Sequence, residues 1–223
     1  MHKTTLSIAL SALLTLISTS IFAGTLSVNV MDKEGKPAPD AVVVLIPTGK
    51  GSPKNALPMQ ATVAQEKMQF IPAVSVVAKG ARVRFINNDA WDHHVRATPA
   101  GMALQAAGSA SGLELRLEGK PDGKPAKSAE MSMDKAGANS AMLLGCFMHG
   151  SMRGHVYVSE SPWALKTAAD GMATFDDVPE GAVQVKVWHA DQLIDLPPIQ
   201  VTLGAAMLKQ QVQLQIVPRR RRV

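Results

Sequence analysis

Gly145-Cys146-Phe147-Met148-His149-Gly150-Ser151-Met152-Arg153-Gly154 contains the only cysteine of the 223-residue chain. A histidine follows the cysteine by three positions, and a methionine follows the histidine by three more. A soft thiolate, an imidazole and a thioether in one tight loop suit copper cycling between Cu(I) and Cu(II), with one further histidine to complete the site. A lone cysteine in an exported chain cannot form an internal disulfide. It is therefore a free thiol, an intermolecular link or a ligand.

The further histidine is expected from Asn87-Asn88-Asp89-Ala90-Trp91-Asp92-His93-His94-Val95, the one place where two histidines lie close together. If His93 and His94 enter a strand, their side chains point to opposite faces, so at most one of them reaches the metal. Spacing alone does not choose between them.

Together the two segments resemble the cupredoxins, the small blue copper proteins, over about Met59 to Ser159. The pattern Phe85, Asn87, Asp89, His93, Val95 is similar to that family's first-ligand strand and turn, and by this likeness His93 is the ligand. The C-x2-H-x2-M spacing is similar to the short loop of amicyanin. The resemblance implies Cys146, His149 and His93 as strong equatorial ligands of one type 1 copper ion, with Met152 as the weak axial ligand. It also implies an electron port at the exposed edge of His149. Met148 stands where the family often has proline, Gly145 where it often has an aromatic residue, and His94 where it often has asparagine.

Residues 1–23 carry Lys3, an apolar run from Leu6 to Phe22 and then Ala23-Gly24. This is the pattern of a secretory signal cut near Ala23, and it implies a periplasmic protein with no stable membrane anchor after cleavage. The chain has 23 basic and 18 acidic residues. Without Lys3 the excess is four, which Arg219–Arg222 supply, so the body is close to neutral. The arginine run, part of a basic tail over 218–223, is either solvated or a docking element for an anionic partner or membrane surface. Without basic–aromatic interleaving, nucleic acid is not an expected partner.

The remaining sequence reads as strands and turns. Thr25 to Val30 alternates, Asp32-Lys33-Glu34-Gly35-Lys36-Pro37 turns, and Ala41 to Ile46 is an apolar run. The stretch from Pro47 to Pro58 has linker composition. Phe70 to Gly80 has strand composition, and Arg82 to Ile86 alternates. Met102 to Ala110 fits a short helix or a loop. Leu113, Leu115 and Leu117 alternate before a Lys-rich loop, Ala141 to Leu144 delivers Cys146, and His155 to Val158 closes the unit. Further on come Met172 to Phe175, Val183 to Trp188 and Leu208 to Val217. The pattern Asp170, Gly171, Phe175, Val178, Pro179, Gly181, with the opening turn Asp32, Gly35, Pro37, resembles carboxypeptidase regulatory-like, transthyretin-like sandwich modules.

The expected fold is all-β. A Greek-key cupredoxin sandwich over 59–159 is inserted into, or followed by, a second small β-sandwich formed by 24–47 plus 162–217. In the competing arrangement, the first two strands belong to the copper sandwich itself. The expected function is periplasmic one-electron transfer between redox partner proteins that dock transiently. The alternatives are a copper chaperone or resistance protein using Cys146, His149 and a soft surface of Met131, Met133 and Met148, and a structural protein with a degenerate site. No residue constellation suggests an enzyme.

Overall fold

A computed structural model describes residues 23–100, 113–122, 124, 126–134 and 141–217. Residues 1–22 of the expected signal segment, the Met102 to Ala110 stretch and the basic tail lie outside the described residues, which are all-β and contain sixteen strands. None of them forms a helix long and apolar enough to cross a membrane.

The strands form four sheets. In the first, β1 (Ala23–Met31) lies between β13 (Met172–Pro179) and β16 (Leu208–Gln213). The second has the order β12 (Trp163–Lys166), β2 (Val42–Pro47), β14 (Gly181–Trp188), β15 (Ile199–Leu203). The third has the order β5 (Val74–Ala78), β11 (Arg153–Ser159), β10 (Ala141–Gly145), β7 (His93–Pro99), β8 (Leu113–Leu117). The fourth has the order β4 (Gln69–Ile71), β3 (Gln60–Glu66), β6 (Ala81–Asn87), β9 (Lys127–Met133).

Three buried clusters stack these sheets into four layers. Leu26, Val28 and Val30 of β1 meet Val43 and Leu45 of β2 and Val183 and Val185 of β14, joining the first sheet to the second. Val63, Val83 and Phe85 meet Val95, Leu144, Val156 and Val158, joining the fourth sheet to the third. A third cluster contains Val42, Val44, Ala164 and Trp188 from the second sheet, with Val74, Ala141 and Tyr157 from the third. The second and third sheets are therefore buried on both faces. Successive strand residues point to opposite faces, so a doubly covered strand needs an unbroken apolar run. Val42-Val43-Val44-Leu45 is such a run, with alternate residues in different cores.

Turn chemistry fixes the first pair of sheets. The Oδ1 of buried Asp32 accepts the N–H groups of Glu34 and Lys36 and so closes the turn between β1 and β2. Gly171 has φ +75°, and a Cβ there would stand 2.5 Å from the Val30 carbonyl oxygen. Only glycine combines that backbone with that approach.

The Phe70 to Gly80 stretch is two strands in different sheets rather than one. Pro72, which has no N–H to give to a ladder, separates β4 in the fourth sheet from β5 in the third. β3, β9, β12 and β15 are additional to the strands expected from sequence.

Candidate metal centre

The β10–β11 hairpin presents the cysteine loop. Gly145 pairs with Arg153 at the hairpin's end, and the Met152 N–H donates to the His149 carbonyl at 2.9 Å, tightening the turn. β7 pairs with β10 and brings the histidine pair alongside. Along β7, His93, Val95 and Ala97 point inward, while His94 is half-buried and Arg96 exposed. Strand alternation thus sends His93 into the core, where it is 0% exposed.

Three ligand atoms converge. Cys146 Sγ lies 3.9 Å from His93 Nδ1 and 3.6 Å from His149 Nδ1, and the two nitrogens are 3.1 Å apart. A triangle with these sides has its centre about 2.1 Å from each corner, which matches the roughly 2.0–2.1 Å from zinc to imidazole and approaches the roughly 2.3 Å from zinc to thiolate. One first-row metal ion therefore fits among the three atoms without moving the chain. Among the described residues, His93, Cys146 and His149 form the one group of three or more His, Cys, Asp or Glu side chains close enough to hold a metal ion. Met152 is buried in the same core cluster as Cys146.

Asp89 settles the chemistry of His93. His93 Nε2 lies 2.7 Å from Asp89 Oδ2. A carboxylate only accepts hydrogen bonds, so Nε2 carries the proton and Nδ1 turns its lone pair toward Cys146 and His149. Burial pushes the Asp89 carboxyl up. The hydrogen bonds from His93 and from the backbone N–H groups of Met68 and Lys67 outweigh that effect and hold it below the usual carboxylate range. The turn bearing Asp89 is fixed by Asn87, whose Nδ2 donates to the carbonyls of Trp91, Leu117 and Glu118, while its Oδ1 accepts the Asp89 N–H. The role of Asp89 as orienter was not among the expected ligand roles, although the D-x-x-x-H spacing is visible in the sequence.

The sulfur is also supported. The His94 backbone N–H donates to Cys146 Sγ at 3.4 Å. A backbone donor can stand at this position whatever the side chain, so histidine here preserves the support. The His94 ring itself lies edge-on to Phe147, 6.1 Å between centroids, and the Arg96 guanidinium lies 5.0 Å from the centre of the same Phe147 ring.

At the surface, His149 is half-buried, and Trp91, Phe147 and Met148 are exposed. The Trp91 ring stands edge-on to His93 at 6.4 Å. Met131 and Met133 are buried on the inner side of β9, which removes them from the soft surface considered above and leaves Met148 alone there.

No family model matches the chain, and no curated protein matches it. Among solved structures, the chain is similar to an oxidized mutant of amicyanin, with 21% identity, 52% of this chain and 98% of that chain covered, and a TM-score of 0.34. It is similar to dithionite-reduced auracyanin from Roseiflexus castenholzii, with 17% identity, 47% and 99% covered, and a TM-score of 0.35. It is also similar to a purple cupredoxin from Nitrosopumilus maritimus, with 16% identity, 44% and 99% covered, and a TM-score of 0.31. The reading of the site rests on the interatomic distances.

Proposed function

We propose that the protein is an exported, periplasmic type 1 copper protein that carries single electrons between partners and catalyses no reaction of its own. The observation that carries this reading is the triangle of Cys146 Sγ, His93 Nδ1 and His149 Nδ1, with sides of 3.1 to 3.9 Å. Two imidazole nitrogens and one thiolate form a donor set suited to copper in both oxidation states, and the buried thioether of Met152 is offered as the weak fourth ligand. Copper, when bound, supplies the one-electron couple.

The residues of the chain supply the rest. Asp89 holds His93 in one tautomer and orientation, and the His94 N–H stabilises negative charge on Cys146. Burial of His93 and Cys146 keeps water from two of the donors. Half-buried His149 connects the site to the surface, where Phe147 and Met148 give a redox partner an apolar landing beside Arg96. Transient electron-transfer contacts of this kind are small. The sheets formed by β1, β2 and β12–β16 would serve as a brace, since β10 and β11 pack against β2 and β14 through the third core cluster.

Copper handling is the second reading, and the exposed thioether of Met148 beside His149 is what favours it. Purified protein loaded with copper, recorded in the visible range beside Cys146→Ser, separates the two. The carrier reading expects an intense thiolate-to-copper band that bleaches on reduction, returns on oxidation and is lost in the variant. A colourless protein that holds Cu(I) tightly and is not reversibly oxidised would overturn it in favour of handling.

A further inference from the structure

Gln65 of β3 is 0% exposed, and strand alternation turns it the same way as Val63, into the core that also contains Cys146 and Met152. Its amide is used on one side only. The side chain reaches the His94 carbonyl oxygen at 3.2 Å. A carbonyl only accepts hydrogen bonds, so the amide nitrogen Nε2 is the atom that faces it. The other end, Oε1, is buried and meets no hydrogen-bond donor among the described residues. A buried acceptor without a donor is destabilising, and leucine or methionine would fill a similar space without that cost. What glutamine supplies here and those residues do not is the bond to His94.

That bond lies beside the metal centre. His94 is gripped at both ends: its carbonyl receives Gln65 Nε2, and its N–H donates to Cys146 Sγ at 3.4 Å. The turn that follows Gln65 takes a second hold on the same segment. Glu66 pairs with Gln69 across a two-residue turn in which Lys67 and Met68 have φ +52° and +57°. Their N–H groups reach the two oxygens of Asp89 at 2.7 and 3.1 Å, and Asp89 in turn holds His93. One hairpin, β3–β4, thus supports the residue behind the nitrogen ligand and the residue that donates to the sulfur.

We propose that Gln65 is a positioning residue for the metal centre. By fixing the His94 carbonyl it keeps the N–H of the same residue aimed at Cys146 Sγ, and so sets how much negative charge the sulfur passes to a bound metal. The geometry stands without a metal; the electrochemical consequence rests on the copper-carrier reading. A hydrogen bond to the sulfur draws charge from it and favours Cu(I) over Cu(II), since bonding around the cysteine sulfur tunes the couple.

The test compares Gln65→Met and Gln65→Leu with Val63→Ala, which loosens the same face of β3 without removing a side-chain hydrogen bond. In the metal-free proteins, nuclear magnetic resonance follows solvent exchange of the His94 amide proton against those of Val95 and Ala97. Both Gln65 variants are expected to speed His94 exchange by about threefold to tenfold relative to its neighbours, the factor for one lost hydrogen bond, and Val63→Ala to leave that ratio unchanged. In the copper-loaded proteins, titration at fixed applied potentials is expected to show the Cu(I)/Cu(II) ratio falling by about threefold to tenfold in the Gln65 variants only. Unchanged relative exchange at His94 in both Gln65 variants would overturn the proposal, whether or not copper binds. An equal change in Val63→Ala would overturn it too, reducing Gln65 to ordinary packing. A wild-type chain that forms no thiolate-to-copper band would defeat the carrier reading alone, because the exchange measurement still decides the role of Gln65.

Discussion

The carboxylate of Asp89 and the imidazole of His93 are joined at 2.7 Å, and neither group is more than 6% exposed. The contact presets which nitrogen of His93 faces Cys146 before any metal arrives. Asp89→Asn keeps the shape but presents an amide that can either donate or accept, so the tautomer is no longer fixed. We expect copper affinity to fall by about 10- to 100-fold, the usual cost of losing a partner behind a ligating histidine. Competition with a chromophoric chelator measures it, and an unchanged affinity would contradict the assigned role.

His93 and His149 should answer differently to deletion. His149 reaches the surface, so His149→Gly leaves a gap open to solvent, and added imidazole is expected to restore the visible band. His93 is sealed in, so His93→Gly leaves a closed cavity and takes from Asp89 Oδ2 its ring partner, leaving that oxygen only the Met68 N–H; it costs about 2–5 kcal/mol of stability and resists rescue. Imidazole titrations of both copper-loaded variants check this. Equal rescue of both would show that the burial difference has no bearing on the site.

Trp188 fills the seam between the second and third sheets, with its ring 5.6 Å from Tyr157 and 5.4 Å from His155. Trp188→Ala should cost about 3–5 kcal/mol. It should also split a single cooperative unfolding transition into two, because the seam is what couples the inner sheets. Denaturant titration followed by circular dichroism and by the copper band tests both expectations.

The same seam should be sensitive to acid. Burial, only partly offset by Asp191 and reinforced by His189 and Arg153, lowers the pKa of His155 to about 4. The folded state then holds this ring neutral while the unfolded chain takes up a proton near pH 6.5. Stability therefore declines as pH falls from about 6.5 to about 4 and levels off below that, by up to about 3 kcal/mol for this group. His155→Phe should flatten that part of the stability profile. A profile identical to wild type between pH 6.5 and 4 would refute the assignment.

Gly154 tests how closely the metal hairpin is fitted. A Cβ there would stand 2.8 Å from Phe70 Cβ and 3.3 Å from the Ala73 carbonyl oxygen. Phe70 is core, so Gly154→Ala must shift the first residues of β11, two positions beyond Met152. A loss of about 1–3 kcal/mol is expected, with a displaced copper absorption band. A variant with wild-type stability and spectrum would mean that the hairpin has slack.

The convergence of His93, Cys146 and His149 was legible in the sequence because the residue pattern is rare: one cysteine, a histidine three positions on and one upstream pair of histidines. The choice between His93 and His94 follows from alternation only once β7 is known to bury its odd-numbered residues. Asp89 was visible as part of a pattern, but a carboxylate in a turn more often caps backbone than holds a histidine ring, and here it does both. β9 was hidden because Lys127, Ser128, Glu130 and Ser132 face outward and give the strand a loop-like composition, although Ala129, Met131 and Met133 supply its inner face. The run Val42 to Leu45 announced a strand, yet whether both faces would be covered depended on β5, β10 and β11, which lie far along the chain.

Alternate residues of β10 and β11 serve two masters, and this limits any effort to trim the molecule. A fragment cut to residues 59–159 would keep every proposed ligand but would bare Val74, Ala141, Leu143 and Tyr157 as a greasy wall on the strands that carry Cys146. Such a miniature would be prone to self-association, and a usable one would need that wall repainted with polar side chains before its electrochemistry meant anything.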